Sequence, residues 1–148
     1  MSHTLLYRLF RIGRLPRRER DRLTGESFRC LVEGISLTIA WRNFRQGRRR
    51  IKAHQQNATG AVAITQKRLL VYAFAKPVLD IDLADPVADR VAVTCPNSTT
   101  LSIRLEAQDF HPDASGQITY WLLTPEAAAL SDLWQNRPRT AAGDCIPA

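Results

Sequence analysis

The chain has 148 residues, 45% of them hydrophobic, and a formal net charge of +7. This is enough apolar material for one core, whereas two cores would each be marginal at this length. No apolar run approaches the ~18 residues that a membrane-crossing helix needs, and arginines interrupt the apolar N-terminal residues where a secretory signal needs a continuous apolar core. We therefore expect one cytoplasmic domain, with a peripheral position at the membrane as a further option.

The positive charge is concentrated in the first third of the chain. Residues 1–52 hold 14 Lys and Arg against 4 Asp and Glu, a balance of +10, whereas residues 53–148 hold 7 against 10, a balance of −3. A positive field of this kind favours polyanions or anionic membranes as partners, and it also serves solubility.

Residues 4–15 have the periodicity of an amphipathic helix. At about 100° per residue the apolar side chains fall on one arc and the arginines on the other. The two sets are Leu5, Leu6, Leu9, Phe10 and Ile12, and Arg8, Arg11 and Arg14. Pro16 should end or kink this helix, and residues 17–22 are predicted to be a charged, solvated segment that runs to Gly25.

This amphipathic helix has more than one interpretation. Its two faces suit a helix that lies on an anionic membrane or docks on a partner. The contacting residues would then be Leu5, Leu6, Arg8, Leu9, Phe10, Arg11 and Arg14. In the other interpretation the apolar face covers part of the domain. A mitochondrial presequence has a similar composition and is a minor alternative.

From Phe28 the apolar residues recur at every second position, which predicts a β-strand. The pattern runs to Trp41, and its interruption at Gly34 predicts a bend or bulge. The polar cluster at residues 45–48 then turns the chain, and a weaker alternation follows from Arg49 to Gln56. The sequence therefore predicts a hairpin with a basic tip.

Short strands joined by turns fill the middle of the chain. Turn residues at 57–60 separate the hairpin from a central apolar strand, Ala61–Thr65, and Gln66-Lys67 forms the next turn. The remaining predicted strands are Arg68–Phe74, Val78–Leu83, Val91–Thr94, Leu101–Leu105 and Ile118–Leu123. A turn-rich stretch, 95–99, and a longer loop through residues 111–116 separate the last three of them.

A C-terminal helix is predicted after the last strand. Thr124 is a suitable N-cap, Pro125 suits the first helical position, and apolar residues recur at helical spacing from Ala127 to Trp134. The helix should end near Arg137-Pro138. The predicted fold class is therefore mainly β, a small antiparallel barrel or sandwich of seven or eight strands that is capped by this helix and preceded by the N-terminal amphipathic helix.

One stretch resembles a known superfamily. Residues 60–70, Gly-Ala-Val-Ala-Ile-Thr-Gln-Lys-Arg-Leu-Leu, are similar to the Gly-x-x-x-x-Thr-x-x-Arg-Leu hairpin of the pleckstrin-homology-like (PH-like) superfamily, particularly its GRAM-like and bacterial members. The resemblance covers residues 26–137 and implies a bent barrel closed at one end by the C-terminal helix. The same alternation also fits a hairpin of any all-β fold. Members of the superfamily bind phosphoinositides, peptides or other domains, so the fold alone leaves the ligand open.

The basic hairpin is the main candidate for a binding site. Its cationic residues are Arg42, Arg45, Arg48, Arg49, Arg50 and Lys52. In phosphoinositide-binding pleckstrin domains a basic residue late in the first strand joins a basic-x-basic pair that opens the second, and Arg42 with Arg48-x-Arg50 resembles that arrangement. Guanidinium groups bind phosphate oxygens in a bidentate manner. The alternative is a solvated charged turn that prevents edge aggregation.

Other chemistry has less support in the sequence. Aromatic and basic residues alternate around Trp41, but its period-two spacing predicts an inward side chain, and no motif for sequence-specific nucleic-acid recognition is present. The three histidines lie on separate elements, and no Gly-x-Ser-x-Gly elbow occurs. The clusters at residues 80–85 and 109–113 lack the pattern of a calcium loop. We expect no enzyme, no metal and no cofactor.

The sequence thus predicts a non-enzymatic binding module whose basic hairpin engages anionic lipid head groups or a partner protein. The alternative is a protein interaction or self-assembly domain that uses the N-terminal helix and apolar surface, without a lipid ligand. The predicted parts are a basic amphipathic segment, 1–25, a PH-like β domain, 26–137, and a flexible tail, 138–148. Cys30, Cys95 and Cys145 form no zinc pattern and are predicted to be thiols in a reducing compartment.

Overall fold

Seven strands and two α-helices form the described part of the chain, which in this computed structural model comprises residues 17–25, 28–74 and 76–137. The helices are α1 (Arg17–Thr24) and α2 (Ala127–Gln135). The strands are β1 (Phe28–Gln46), β2 (Arg49–Thr65), β3 (Arg68–Ala73), β4 (Lys76–Asp82), β5 (Ala92–Asn97), β6 (Thr100–Glu106) and β7 (Ala114–Leu123). Short 3-10 helices span Pro86–Arg90 and Ala107–Asp109. The predicted amphipathic helix, 4–15, and the tail, 138–148, lie outside the described residues.

All seven strands belong to one antiparallel sheet with the order β4-β3-β2-β1-β7-β6-β5. Consecutive strands are neighbours within β1–β4 and within β5–β7, and the pairing of β1 with β7 joins these two groups. The sheet is open, because β4 and β5 are its two edges and no pairing between them occurs in the described ranges. The predicted mainly β class and C-terminal helix are therefore confirmed.

The core lies on one face of this sheet and receives side chains from both of its halves. Leu37 of β1, Val71 of β3 and Ile103 of β6 are fully buried in the same cluster, which Leu130 and Trp134 of α2 complete. Burying an aliphatic side chain of this size contributes about 1.5–3 kcal/mol. The two halves of the sheet therefore curve around shared apolar side chains, with α2 packed against them.

Helix α2 is held at both ends by hydrogen bonds. The Thr124 hydroxyl accepts the backbone N–H of Glu126 at 3.1 Å and donates to the Glu126 carboxylate at 2.8 Å. After the helix, the buried Arg137 guanidinium donates to the Trp134 carbonyl at 2.9 Å and to the Asp89 carboxylate at 2.7 Å. The predicted helix is confirmed as an element, but the predicted N-cap is wrong, because the cap residue is Glu126 and the helix begins at Ala127. Arg137, two residues beyond the end of the helix, makes buried structural contacts.

The alternation from Phe28 correctly predicts the first hairpin. Gly34 has a φ of +69° and interrupts the β1–β2 register between Glu33 and Ile35, so the predicted bulge is confirmed. Gln46 pairs with Arg49, which leaves Gly47 and Arg48 as a two-residue turn. Glycine suits this position because its φ of +58° is in the left-handed region.

The predicted turn at residues 57–60 is wrong, because β2 runs without a break from Arg49 to Thr65. Asn57 pairs with Thr38, whose hydroxyl donates to the Asn57 side-chain carbonyl at 3.0 Å. A Cβ on Gly60 would lie 2.1 Å from the carbonyl oxygen of Tyr72. Residues that usually mark turns therefore serve here as cross-strand partners and as a site of close backbone approach.

The prediction of a solvated segment at residues 17–22 is wrong in part. These residues begin helix α1, and although Arg17 and Arg18 are exposed, the Glu19 carboxylate accepts a hydrogen bond from the Tyr72 hydroxyl at 3.0 Å. Arg20 also forms an ion pair with Glu33 of β1. These contacts bring α1 to the face of the sheet opposite the main core, where Tyr72 is buried in a small second cluster.

The first and last residues of the later strands also differ from those predicted. The predicted turn at 95–99 is shorter, because β5 continues to Asn97 and only Ser98 and Thr99 form the turn. The last strand begins at Ala114, four residues before the predicted start at Ile118. Gly116, with a φ of +105°, lies within it, and a Cβ there would be 2.4 Å from the carbonyl oxygen of Asn43.

Replacing Gly60 with alanine tests the continuous β2 strand. We expect Gly60→Ala to lower the free energy of unfolding by about 3 kcal/mol, since the new Cβ meets backbone atoms that cannot move independently. Gly47→Ala is the matched control, because it meets no atom within 4 Å and costs only the left-handed strain of about 1–2 kcal/mol. Denaturant unfolding measures both, and equal losses would contradict the close approach.

Candidate binding site on the β1–β2 arm

The outer half of the β1–β2 hairpin, residues 42–53, forms an arm that carries the six predicted cationic residues. The two strands pair regularly from Arg42 and Ala53 to Gln46 and Arg49. On the other side of β1, the register with β7 shifts between Arg42 and Arg45, where Asn43 has a φ of +51°. This bulge bends β1 at the base of the arm.

The structure brings three of the predicted cations together at one place. Arg45 and Arg50 are direct cross-strand partners. Both line a shallow depression of about 320 Å³ together with Lys52 and the backbone-bulge residue Asn43. Arg49 and Arg50 line a second depression, of about 430 Å³, that Lys52 also borders. Arg50 and Lys52 are therefore shared by two adjoining basic depressions.

The remaining predicted cations lie elsewhere on the arm. Arg48 occupies the turn, and Arg42 lines a different cleft that also contains Arg104 and Trp121. The arrangement that resembles pleckstrin domains, Arg42 with Arg48 and Arg50, is therefore spread along the arm, and the convergent group is Arg45, Arg50 and Lys52.

These cations have no counter-charge among the described residues. All six side chains are exposed, and none has a carboxylate within 4.0 Å in the part of the chain that the structure describes. Like charges directly opposite each other in an antiparallel pair are destabilising. An anion bound between Arg45 and Arg50 would relieve that repulsion.

No described strand pairs with one edge of β2 along the arm. Strand β3 pairs with β2 only from Gly60 to Ile64, and the last backbone hydrogen bond on that side runs from the Phe74 N–H to the Thr59 carbonyl at 3.0 Å. Among the described strands, none lies beside residues 49–57 on the side away from β1. We refer to residues 49–57 as the free edge.

An apolar cleft lies on the core side of the free edge. Its volume is about 530 Å³, and apolar and aromatic side chains make up most of its wall. They are Ile39, Trp41, Phe44, Ala73, Val78, Leu79, Leu105, Ala107, Phe110, Ile118 and Tyr120. Gln46, Gln56, Asp80 and His111 are the polar lining residues. Trp41 is half-buried against the core, so its predicted inward orientation is confirmed.

The Tyr120 hydroxyl spans the core at the floor of this cleft. It donates to the carbonyl of Val78 at 3.2 Å and so connects β7 to β4. Burial raises the pKa of Tyr120 to about 12. The carboxylate of Asp80, at the rim, accepts a hydrogen bond from Arg68 at 3.1 Å, which offsets its charge.

The opposite face of the sheet holds a second, more polar cleft of about 710 Å³. Its most prominent residue is Trp121, which is 38% exposed, and Arg42 and Arg104 are its arginine lining residues. Trp121 is not among the site residues predicted from the sequence. The strand alternation could have identified it, because Tyr120 and Leu122 belong to the core and Trp121 between them must lie on the other face.

The predicted acidic clusters have structural partners. The carboxylates of Asp82 and Asp85 accept the backbone N–H groups of Ala84 and Val87, both at 2.9 Å, and Asp109 pairs with Arg90 at 3.0 Å. In the described ranges, no three His, Cys, Asp or Glu side chains converge as a metal site.

Cys30 and Cys95 are free thiols that lie partly exposed. Burial, and to a smaller extent the nearby Glu126 carboxylate, raises the pKa of the Cys30 thiol. A raised thiol pKa lowers the thiolate fraction at neutral pH and with it the nucleophilicity of Cys30. Cys145 lies outside the described residues.

The predicted membrane- or partner-binding residues at the N-terminus, from Leu5 to Arg14, lie outside the described residues as well. Neither described helix is long and apolar enough to cross a bilayer. Comparison of the chain with protein-family models and with curated proteins gives no match.

The raised pKa of Tyr120 predicts a stability change at high pH. Because the folded chain holds the phenolic proton up to about pH 12 and the unfolded chain releases it near pH 10, the free energy of unfolding should fall across this interval by about 2–3 kcal/mol. Tyr120→Phe should cost about 1 kcal/mol at neutral pH through the lost hydrogen bond and should lack this decline. Denaturant unfolding of both proteins measures it, and parallel pH profiles would contradict the assignment to Tyr120.

Proposed function

We propose that the chain is a non-enzymatic binding module of PH-like fold that docks on anionic membrane surfaces through the β1–β2 arm. The observation that carries this proposal is the cross-strand pair Arg45 and Arg50, which lies beside Lys52 and has no carboxylate partner in the described part of the chain. Phosphate oxygens of lipid head groups provide the missing counter-charge.

The strand order supports the PH-like part of the proposal. Consecutive strands are neighbours within β1–β4 and within β5–β7, and a C-terminal helix packs on the core that both groups share. The C-terminal helix agrees with what the resemblance at residues 60–70 implies, whereas the sheet is open between β4 and β5 where the resemblance implies a barrel. The threonine of this stretch, Thr65, stabilises the turn that follows it. Its hydroxyl accepts the backbone N–H groups of Lys67 and Arg68 at 3.1 and 2.9 Å.

The shape of the arm favours a charged surface over a single tightly bound head group. Both basic depressions are shallow and are lined by exposed side chains with several rotatable bonds. Such groups recognise the density of negative charge, with each Lys or Arg near an anionic membrane contributing about 1 kcal/mol. Binding should therefore weaken as salt is added, because salt screens exposed charges.

The roles of the titratable groups support the non-enzymatic part of the proposed function. Asp82, Asp85 and Asp109 are engaged in turns and an ion pair. The Cys30 thiol has a raised pKa, and the Tyr120 hydroxyl donates a hydrogen bond to the Val78 carbonyl across the core. None of these groups is poised as a nucleophile beside a general base.

Vesicle binding with charge reversal on the arm tests the proposal. We expect Arg45→Glu/Arg50→Glu to bind phosphatidylcholine vesicles containing phosphatidylserine at least about tenfold more weakly than the natural chain in co-sedimentation at low salt. The double variant loses two attractions to the anionic vesicle and gains two repulsions from it, which accounts for the weaker binding.

Arg29→Glu/Lys67→Glu is the matched control for this experiment. Both of its residues are exposed, with Arg29 near the start of β1 and Lys67 in the turn between β2 and β3, far along the strands from the Gly47-Arg48 turn. Both double variants lower the formal net charge from +7 to +3, because each reversal changes it by two. Equal losses in the two variants would show that net charge alone governs binding, and absence of binding by the natural chain would exclude the lipid surface.

A further inference from the structure

We propose that the free edge of β2 binds an extended acidic segment of a partner protein by strand addition, with the alternate apolar side chains of that segment in the cleft beneath the edge. This site goes beyond the membrane surface proposed above, because it uses the backbone of β2 and an apolar cleft that head-group binding does not need.

The direction of the β2 backbone groups supports strand addition. The Thr59 carbonyl points toward β3, where it accepts the Phe74 N–H. The register of β2 with β1 is regular from Gly60 to Ala53, so backbone groups alternate between the two sides along this stretch. The N–H and C=O groups of Asn57, Gln55 and Ala53 therefore point to the same side as Thr59, and an added strand would continue the line of β3.

The free edge is accessible to such a strand. The side chains of Lys52, Ala53, His54, Gln55, Gln56 and Asn57 are all exposed. Unpaired backbone groups on a long edge bind other extended chains readily, and peptide recognition by strand addition uses this property. In the described part of the chain, no side chain or strand covers this edge.

The apolar cleft provides pockets for the side chains of the added strand. Gln56 of the free edge lines it, and so do Val78 and Asp80 of β4. A segment beside β2 would therefore pass over the cleft, and every second side chain would point inward. The volume of about 530 Å³ lies within the range of about 300–1,000 Å³ that holds small organic ligands, which is enough for several aliphatic side chains.

The charge of the edge selects an acidic partner. Arg49, Arg50 and Lys52 lie at its outer end without carboxylate partners among the described residues. A second copy of this chain that added to the same edge would bring these cations close to their equivalents, which is unfavourable. Asp80 at the cleft rim disfavours inward-facing acidic residues. The fitting pattern is therefore apolar residues facing inward and acidic residues facing outward.

Synthetic peptides of alternating sequence test this inference. The probe is acetyl-Glu-Val-Glu-Val-Glu-Val-Glu-amide with a fluorescent label, and binding is measured by anisotropy. We expect saturable binding by the natural chain and at least about tenfold weaker binding when lysine replaces each glutamate. Equal binding of both peptides would overturn the choice of an acidic partner.

Methylated backbones separate strand addition from simple charge attraction. One peptide carries N-methyl groups on its valine amides and the other on its glutamate amides. Only alternate amides of an added strand face β2, so one pattern should abolish binding and the other should preserve it. Equal binding of both methylated peptides would overturn strand addition, and this comparison requires no change in the protein.

A single substitution in the protein provides the complementary test. Gln55→Pro removes one N–H from the free edge, outside the arm, and leaves the β1–β2 hydrogen bonds in place, as edge strands tolerate. We expect peptide affinity to fall about fivefold or more, whereas Gln55→Val retains the N–H and the affinity. Binding of Gln55→Pro to anionic vesicles should be unchanged, so failure of this proposal and failure of the membrane proposal are distinguishable.

Other occupants of the edge would appear as different outcomes. A concentration-dependent dimer in sedimentation velocity that Gln55→Pro abolishes would assign the edge to a second copy and overturn the acidic partner. Peptide binding that occurs only after removal of residues 1–16 would assign the edge to the chain's own N-terminal segment and would also overturn it.

Discussion

The pairing of β1 with β2 is the interaction on which the rest of the structure depends. It runs from Phe28 and Thr65 to Gln46 and Arg49, which is far longer than any other strand pair in the described sheet. Strand β1 is shared, because its second half also pairs with β7. Strand β2 has β3 beside it only near its C-terminal end. The arm and its free edge result from this difference in length.

A long unpaired edge must be protected from aggregation, and its cations provide that protection. Arg49, Arg50 and Lys52 repel a second copy of the same edge, and Arg45 opposite Arg50 raises the positive potential further. This arrangement costs stability in the isolated chain. An anionic surface or an acidic segment against the arm, as proposed above, would compensate these charges, so the residues that protect the edge are also the ones that the two proposals use.

The hydrophobic periodicity of the sequence predicted the structural elements that depend on local chemistry. The bulge at Gly34, the turn at Gly47-Arg48 and the start of α2 after Thr124 follow from backbone preference and alternation within a few residues. The continuity of β2 through residues 57–60 could not be predicted in this way, because Gly60 is required by the Tyr72 carbonyl on a neighbouring strand. The free edge could not be predicted from periodicity either, since it depends on β3 ending at Ala73. The next residue, Phe74, adopts a left-handed conformation. The grouping of Arg45, Arg50 and Lys52 could not be predicted either, because it depends on the register that pairs Arg45 with Arg50.

The two ends of the core are closed by different elements, and this difference supports the position proposed for a partner segment. At the end where β7 leads into α2, Leu130 and Trp134 close the core, and Arg137 binds over the Trp134 ring at 4.2 Å. None of the residues that line the apolar cleft at the start of β7 belongs to α2. Half-buried Trp41, Phe110 and Ile118 therefore keep apolar surface in contact with a cleft that no described helix fills. Removing such surface from water contributes about 25 cal/mol per Å², and the adjacent β2 edge supplies directional hydrogen bonds. An extended segment that satisfies the edge must also cover the cleft, so the two unfilled features of the fold favour the same occupant.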